Sequence, residues 1–95
     1  YLVKIITVNP GEQLSLQSHQ HRSECWLIIS GIATVECDGK ISHLNRNESI
    51  FIPQGSKHRL SNENNETLKV FEAQYGETLS ESDIIRYQDK YKRVE

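Results

Sequence analysis

The chain has 95 residues and a mass of 11.0 kDa, enough for one domain and too little for a second. Hydrophobic residues make up 36% and charged residues 25%, a balance that predicts a folded chain rather than a disordered one. Eleven Lys and Arg against thirteen Asp and Glu give a net charge of −2, which excludes the basic field that nucleic acid or an anionic membrane would need. The longest apolar stretch, Trp26 to Ile29, falls far short of the roughly 20 residues of a membrane span. No charged-then-apolar leader opens the sequence either, so a soluble cytoplasmic domain is expected. Cys25 and Cys37 form no CxxC pair and no disulfide framework, and two reduced thiols are expected.

Periodicity is mostly two. Tyr1 to Val8 is a β-branched run closed by the turn Asn9-Pro10-Gly11. Its entry directly on a strand pattern, without Met, suggests a fragment or a missing leading segment. Leu14 to His21 alternates, placing Leu14 and Leu16 on one face and Gln17, His19 and His21 on the other. Trp26 to Ser30 and Ala33 to Cys37 read as the next strands, and Asp38-Gly39 signals a hairpin into Lys40 to Leu44. Ser49 to Ile52, His58 to Ser61 and Leu68 to Tyr75 complete seven or eight short strands, predicting an all-β barrel or jelly roll. In the tail, residues 77–95, Ser80 resembles a helix N-cap with Asp83 at the capping-box position, so Ile84 to Tyr91 is predicted to be helical or irregular. Trp26, set in an apolar run, is read as core rather than as a sugar-stacking platform.

The chemistry-bearing residues are widely spaced. Gly11 is followed by Gln17, His19, Glu24 and Gly31; downstream come Pro53, Gly55, His58 and Asn62. Gln17 and His19 share a face, Glu24 opens the next antiparallel strand, and His58 follows a tight Pro-Gly turn. Donors from three strands would converge in a barrel mouth, and imidazole with carboxylate suits Zn²⁺, Fe²⁺, Mn²⁺ or Co²⁺.

These two stretches resemble the paired motifs of the cupin superfamily, G-x5-(H/Q)-x-H-x4-E-x6-G and G-x5-P-x-G-x2-H-x3-N, with Asn47 in place of the second motif's first glycine. The resemblance implies a cupin-type double-stranded β-helix occupying residues 1–95, with a divalent metal held by Gln17, His19, Glu24 and His58. His21 shares the inward parity, and either lines the pocket or replaces Gln17 as ligand. A closer resemblance, to type II phosphomannose isomerases, covers nearly the whole chain. It runs through Leu14-Ser15-Leu16-Gln17-Ser18-His19-Gln20-His21-Arg22-Ser23-Glu24-Cys25-Trp26, Ser30-Gly31-Ile32-Ala33, Ile52-Pro53-Gln54-Gly55, His58-Arg59-Leu60, Phe71 to Gly76 and Ser82 to Arg93. Cys25 and Lys92 depart from that family's usual His and Gly. In that family the domain commonly ends a bifunctional chain whose N-terminal part is a mannose-1-phosphate guanylyltransferase, so such a domain is the expected covalent partner.

The implied reaction interconverts mannose 6-phosphate and fructose 6-phosphate. It calls for a proton-transferring base, and Glu72 is the candidate, on a strand face that points either inward or to solvent. Arg22 and His21 are candidates to assist at the reacting atoms. Arg22, Arg59, Lys57 and Arg86 are the candidates for the substrate phosphate, because a guanidinium meets phosphate oxygens in pairs. Three alternatives stay open: a non-catalytic cupin binding metal or sugar phosphate, an inactive fragment of the bifunctional enzyme, and a metal-dependent oxygenase. A homodimer covering the first strand's edge is also expected.

Overall fold

The structure is a computed structural model that describes residues 1–88. The described residues form nine strands and no helix: β1 (Leu2–Val8), β2 (Leu16–Ser18), β3 (Ser23–Ser30), β4 (Ala33–Cys37), β5 (Lys40–Leu44), β6 (Ser49–Ile52), β7 (His58–Ser61), β8 (Leu68–Tyr75) and β9 (Ile85–Gln88). They assemble into two antiparallel sheets, a four-stranded one in the order β1-β8-β3-β6 and a five-stranded one in the order β5-β4-β7-β2-β9. Sheet faces alternate, so each strand turns every second side chain inward. Val8, Trp26, Ile28, Ile52, Leu68 and Val70 from one sheet meet Ala33, Val35 and Leu60 from the other to form the core. No helix of the described residues is long and apolar enough to cross a membrane.

Local chemistry sets the turns. The β4–β5 hairpin turns at Asp38 and Gly39, both at positive φ (49° and 83°), as a two-residue turn of the predicted kind demands. Asn47 also has positive φ (72°). It stands where the resembling motif has glycine, and asparagine is among the few other residues that enter that region readily. Asn62 donates its side-chain amide to Val8 O (2.9 Å) and Glu66 O (2.7 Å), tying the end of β1 to the loop before β8. Cys25 and Cys37 are both free thiols, on strands of different sheets.

Three expectations are corrected. The second strand is shorter than Leu14 to His21: regular pairing is confined to Leu16–Ser18, with Gln13 bridged singly to Ser61. The third strand begins at Ser23 instead of Trp26. The tail is not helical at Ile85–Gln88, which pairs with β2 as a ninth strand; the remainder of the predicted segment, 89–91, lies outside the described residues. Ser80 Oγ accepts from Ser82 N in a turn, and the Asp83 carboxylate accepts from Gln20 N and His21 N. The cluster that looked like a helix cap thus caps the end of β2 instead, where pairing with a distant strand outweighs a local propensity.

Gly31 joins β3 to β4 at φ +83°, and a Cβ there would stand 2.9 Å from Thr67 O and 3.0 Å from Leu68 Cα. Gly31→Ala is expected to destabilise the fold by about 2 kcal/mol or more, from the strained φ together with displacement of the β8 backbone. A lowered urea midpoint with unchanged cooperativity checks this; an unchanged midpoint refutes it.

Candidate metal centre

The inner face of the four-stranded sheet changes character along its strands. Ile6, Val70 and Ile28 lie side by side; the next row is Lys4, Glu72, Trp26 and Ile50; the row after it brings Gln74 beside Glu24 and Ile52. One end of the barrel is therefore apolar and the other carries paired charges. Opposite, β2 and β7 set Gln17 against His58, and β9 sets Arg86 against Gln17. These elements enclose a cavity of about 220 Å³.

His19, Glu24 and His58 are all buried, and one ligand atom from each lies within 4.8 Å of the others. Both rings are oriented through Nδ1. His19 Nδ1 meets Asp83 O at 2.6 Å, and His58 Nδ1 meets Ser56 O at 3.1 Å. A carbonyl can only accept, so each Nδ1 carries the proton and each Nε2 keeps its lone pair, the arrangement found in metal-binding histidines. Burial also pushes both imidazoles below the usual histidine range, His58 to about 4, so both are neutral near pH 7. Gln17 lines the cavity, and its amide nitrogen is held by Ser15 Oγ (3.0 Å), so its carbonyl oxygen is the atom it could offer to an ion.

The donor set fits a divalent cation on a further observation: it already holds a positive charge. The buried Arg22 guanidinium reaches Glu24 Oε2 through Nε (2.9 Å) and His19 Nε2 through Nη2 (3.1 Å). Two nitrogens, one carboxylate and an amide oxygen suit borderline ions such as Zn²⁺, Mn²⁺ or Co²⁺.

Glu72 is buried and points inward, so of the two orientations left open for its face the structure has the inner one. The Trp26 indole N–H donates to both Glu24 Oε1 (2.9 Å) and Glu72 Oε1 (3.2 Å), and Gln74 Nε2 donates to Glu72 Oε2 (2.8 Å). Burial, then the neighbouring Glu24, raise the Glu72 carboxyl above the ordinary carboxylate range. Trp26 is core, as expected, and it also bridges the two carboxylates.

The cationic candidates separate. Arg22, Arg59 and Arg86 line the cavity. Lys57 does not; its ammonium lies over the Tyr87 ring, 4.4 Å from the centroid. His21 is exposed and lies outside the cavity wall, because β2 ends at Ser18 and the alternation that would have turned it inward lapses. Sequence reasoning missed Lys4, whose ammonium approaches Glu72 Oε2 at 3.6 Å, and Asp83, whose carbonyl orients His19. Lys4 had one legible signal, as the single charge in a β-branched run; Asp83 had none, since its role depends on β9.

The family profile described as "Mannose-6-phosphate isomerase C-terminal" matches residues 1–89. The chain belongs to the mannose-6-phosphate isomerase C-terminal family. This family member is 48% identical over 94 residues to a mannose-1-phosphate guanylyltransferase of Escherichia coli, covering 99% of the chain and 20% of that protein. It is likewise 48% identical over 94 residues to the alginate biosynthesis protein AlgA of Pseudomonas aeruginosa, again covering 99% of the chain and 20% of the relative. The isomerase-type chain thus spans about a fifth of the length of these curated relatives. Its fold matches a double-stranded β-helix protein from Klebsiella pneumoniae (TM-score 0.79, 19% identity, 92% of this chain and 74% of that one). It also matches the Cnp3 cupin domain of Schizosaccharomyces pombe (TM-score 0.76, 12% identity, 79% and 55%). At these identities the likeness shows the cupin fold alone.

A pH dependence follows for the metal-free protein. The His58 imidazole takes its proton near 6.5 when unfolded and near 4 when folded, so between those values the unfolded chain binds more protons. Stability is therefore expected to fall as pH drops from 6.5 towards 4, by on the order of 3 kcal/mol from this group. His58→Gln should flatten the slope in urea titrations across that window; an identical slope refutes the assignment.

Proposed function

We propose that the chain is a metal-dependent aldose–ketose isomerase interconverting mannose 6-phosphate and fructose 6-phosphate. The observation that carries this reading is Glu72, a second buried carboxylate in the same cavity as His19, Glu24 and His58, in a chain of the mannose-6-phosphate isomerase C-terminal family. The isomerisation moves one proton between C2 and C1 while the carbonyl moves the other way. It requires a base over those carbons and a polarised oxygen pair. Gln17, His19, Glu24 and His58 would hold the ion, which when bound supplies that polarisation.

Glu72 takes the proton from C2 of the aldose and returns it to C1, while the hydroxyl proton passes from O2 to O1 across the enediol, so Glu72 ends in its starting state. A carboxyl raised by burial is matched to this exchange, because it is a better base than an ordinary carboxylate and readily gives the proton back. Gln74 and Trp26 hold the carboxylate in one orientation, and Lys4 offsets its charge. Gln17, His19, Glu24 and His58 would hold the ion, and Arg22, then released from Glu24 and His19, would be available to the substrate. Arg59 and Arg86 bind the phosphate, which sets the reach of the sugar into the cavity. The longer relatives support a further reading: the domain works in a chain that also carries a mannose-1-phosphate guanylyltransferase and serves polysaccharide synthesis.

The experiment is a coupled assay of fructose 6-phosphate formation from mannose 6-phosphate, with Zn²⁺, Co²⁺ or Mn²⁺ restored singly after chelation. Metal-dependent turnover is expected. Glu72→Gln should lower kcat by about 10²-fold or more with metal content unchanged, the scale of a lost general base. His58→Ala should lose both metal and activity. Stoichiometric metal with no turnover would overturn the isomerase in favour of a binding cupin.

A further inference from the structure

A single residue, Asp83, holds the backbone around His19 at three points. Its carboxylate accepts from Gln20 N at 2.9 Å through Oδ1 and from His21 N at 3.0 Å through Oδ2, and its own carbonyl lies 2.6 Å from His19 Nδ1. The stretch that carries Asp83 also builds the cavity, whose wall includes Glu81, Ile84 and Arg86. Its grip on the barrel is polar. Among the described residues, no core side chain, and none of the apolar side chains packed against the core, comes from beyond Val70. β9 is an edge strand paired only to the three residues of β2, with a register shift at Leu16/Gln17. Ile85 is 43% exposed and Tyr87 37%, and the Tyr87 hydroxyl is tied to Ser18 Oγ at 2.9 Å. A segment with few buried apolar contacts, held by hydrogen bonds at a sheet edge, opens more readily than the barrel beneath it.

We propose that residues 80–88 form a clasp whose closure is coupled to cation binding at His19, Glu24 and His58, with Asp83 as the positioning residue. The inference rests on the reading of those three side chains as metal ligands, and is independent of the reaction assigned to the site. With the clasp closed, the His19 ring keeps its proton on Nδ1 and sets Nε2 3.3 Å from Glu24 Oε2. With the clasp open, the ring loses its acceptor and the backbone at 20 and 21 loses both carboxylate bonds, so His19 is free to turn from the other donors. An ion that needs all three donors around one point binds the closed form better. By linkage, the ion then tightens the clasp by the same factor that the clasp tightens the ion. Closure also seats Glu81, Ile84 and Arg86, so the ion site and the cavity wall are completed together.

Amide hydrogen exchange on the 95-residue chain, metal-free and with Zn²⁺ added, tests the coupling directly. The amides of Gln20, His21 and residues 80–88 should exchange about tenfold or more slowly with the ion bound. Those of β4 and β5, which give no residue to the cavity wall, should exchange at an unchanged rate. A purely structural role for Asp83 would leave exchange over 80–88 indifferent to the ion. In calorimetric titrations, Asp83→Ala should raise the Zn²⁺ dissociation constant by roughly 10–100-fold, the scale of losing a group that orients a metal ligand. Asp83→Asn keeps one acceptor oxygen and should fall between that variant and the wild type. The wild-type exchange measurement needs no variant, and decides the matter should Asp83→Ala fail to fold. Zn²⁺ that binds stoichiometrically yet leaves exchange over 80–88 unchanged overturns the inference, as does a folded Asp83→Ala chain with wild-type affinity. A chain that binds no divalent ion overturns the metal-site reading along with it, so the two failures are told apart by whether the ion binds.

Discussion

Six ionisable side chains, Lys4, His19, Arg22, Glu24, His58 and Glu72, share one end of a barrel whose other end is hydrocarbon. Transferring a charge from water into such an interior costs several kcal/mol unless partners replace the lost hydration. Every member of the set has such partners. Arg22 holds Glu24 and His19, Trp26 joins Glu24 to Glu72, Gln74 and Lys4 hold Glu72, and backbone carbonyls take both histidine Nδ1 protons. Removing Arg22 or Glu24 strands the buried charge of the other, so the network is intolerant of losing either. The same intolerance preorganises the site: two rings and two carboxylates are fixed before any ligand arrives, which lowers the ordering cost of binding.

The barrel itself was legible because its determinants are local. Period-two runs bounded by Asn9-Pro10-Gly11, Asp38-Gly39 and Pro53 to Gly55 mark strands and turns without knowledge of their partners. The convergence of His19, Glu24 and His58 followed from parity and spacing, together with the resemblance to known cupin motifs. Glu72 was half legible: alternation separated its face from that of Phe71, but which face meets the cavity depends on how β8 sits between β1 and β3.

What escaped the sequence depends on long-range pairing. Parity extrapolated to His21 fails because β2 stops at Ser18, and it stops there because the Asp83 carboxylate takes the amides of Gln20 and His21. Ser80 to Asp83 satisfies the local rules for a helix start, and nothing nearby in sequence announces that β2 offers an unpaired edge to Ile85–Gln88. Lys57 looked equivalent to Arg59 two positions on. Only the fold shows that Lys57 turns to Tyr87 of β9 while Arg59 lines the cavity. The ninth strand thus accounts for most of the differences: it brings the carbonyl that orients His19, the Arg86 side chain in the wall, and the ring that withdraws Lys57.

The two faces of the four-stranded sheet are coupled by the pleat. Glu72 lies between Phe71 and Ala73, so the backbone that aims the inner carboxylate also carries the outer apolar side chains. Trp26 stands in the same relation to Cys25 and Leu27. An edge strand paired on one side alone is the least constrained part of such a sheet, and here that strand is β1, which carries Lys4 to Glu72. The apolar outer rows and the charged inner row are, on this geometry, alternate positions of the same four strands.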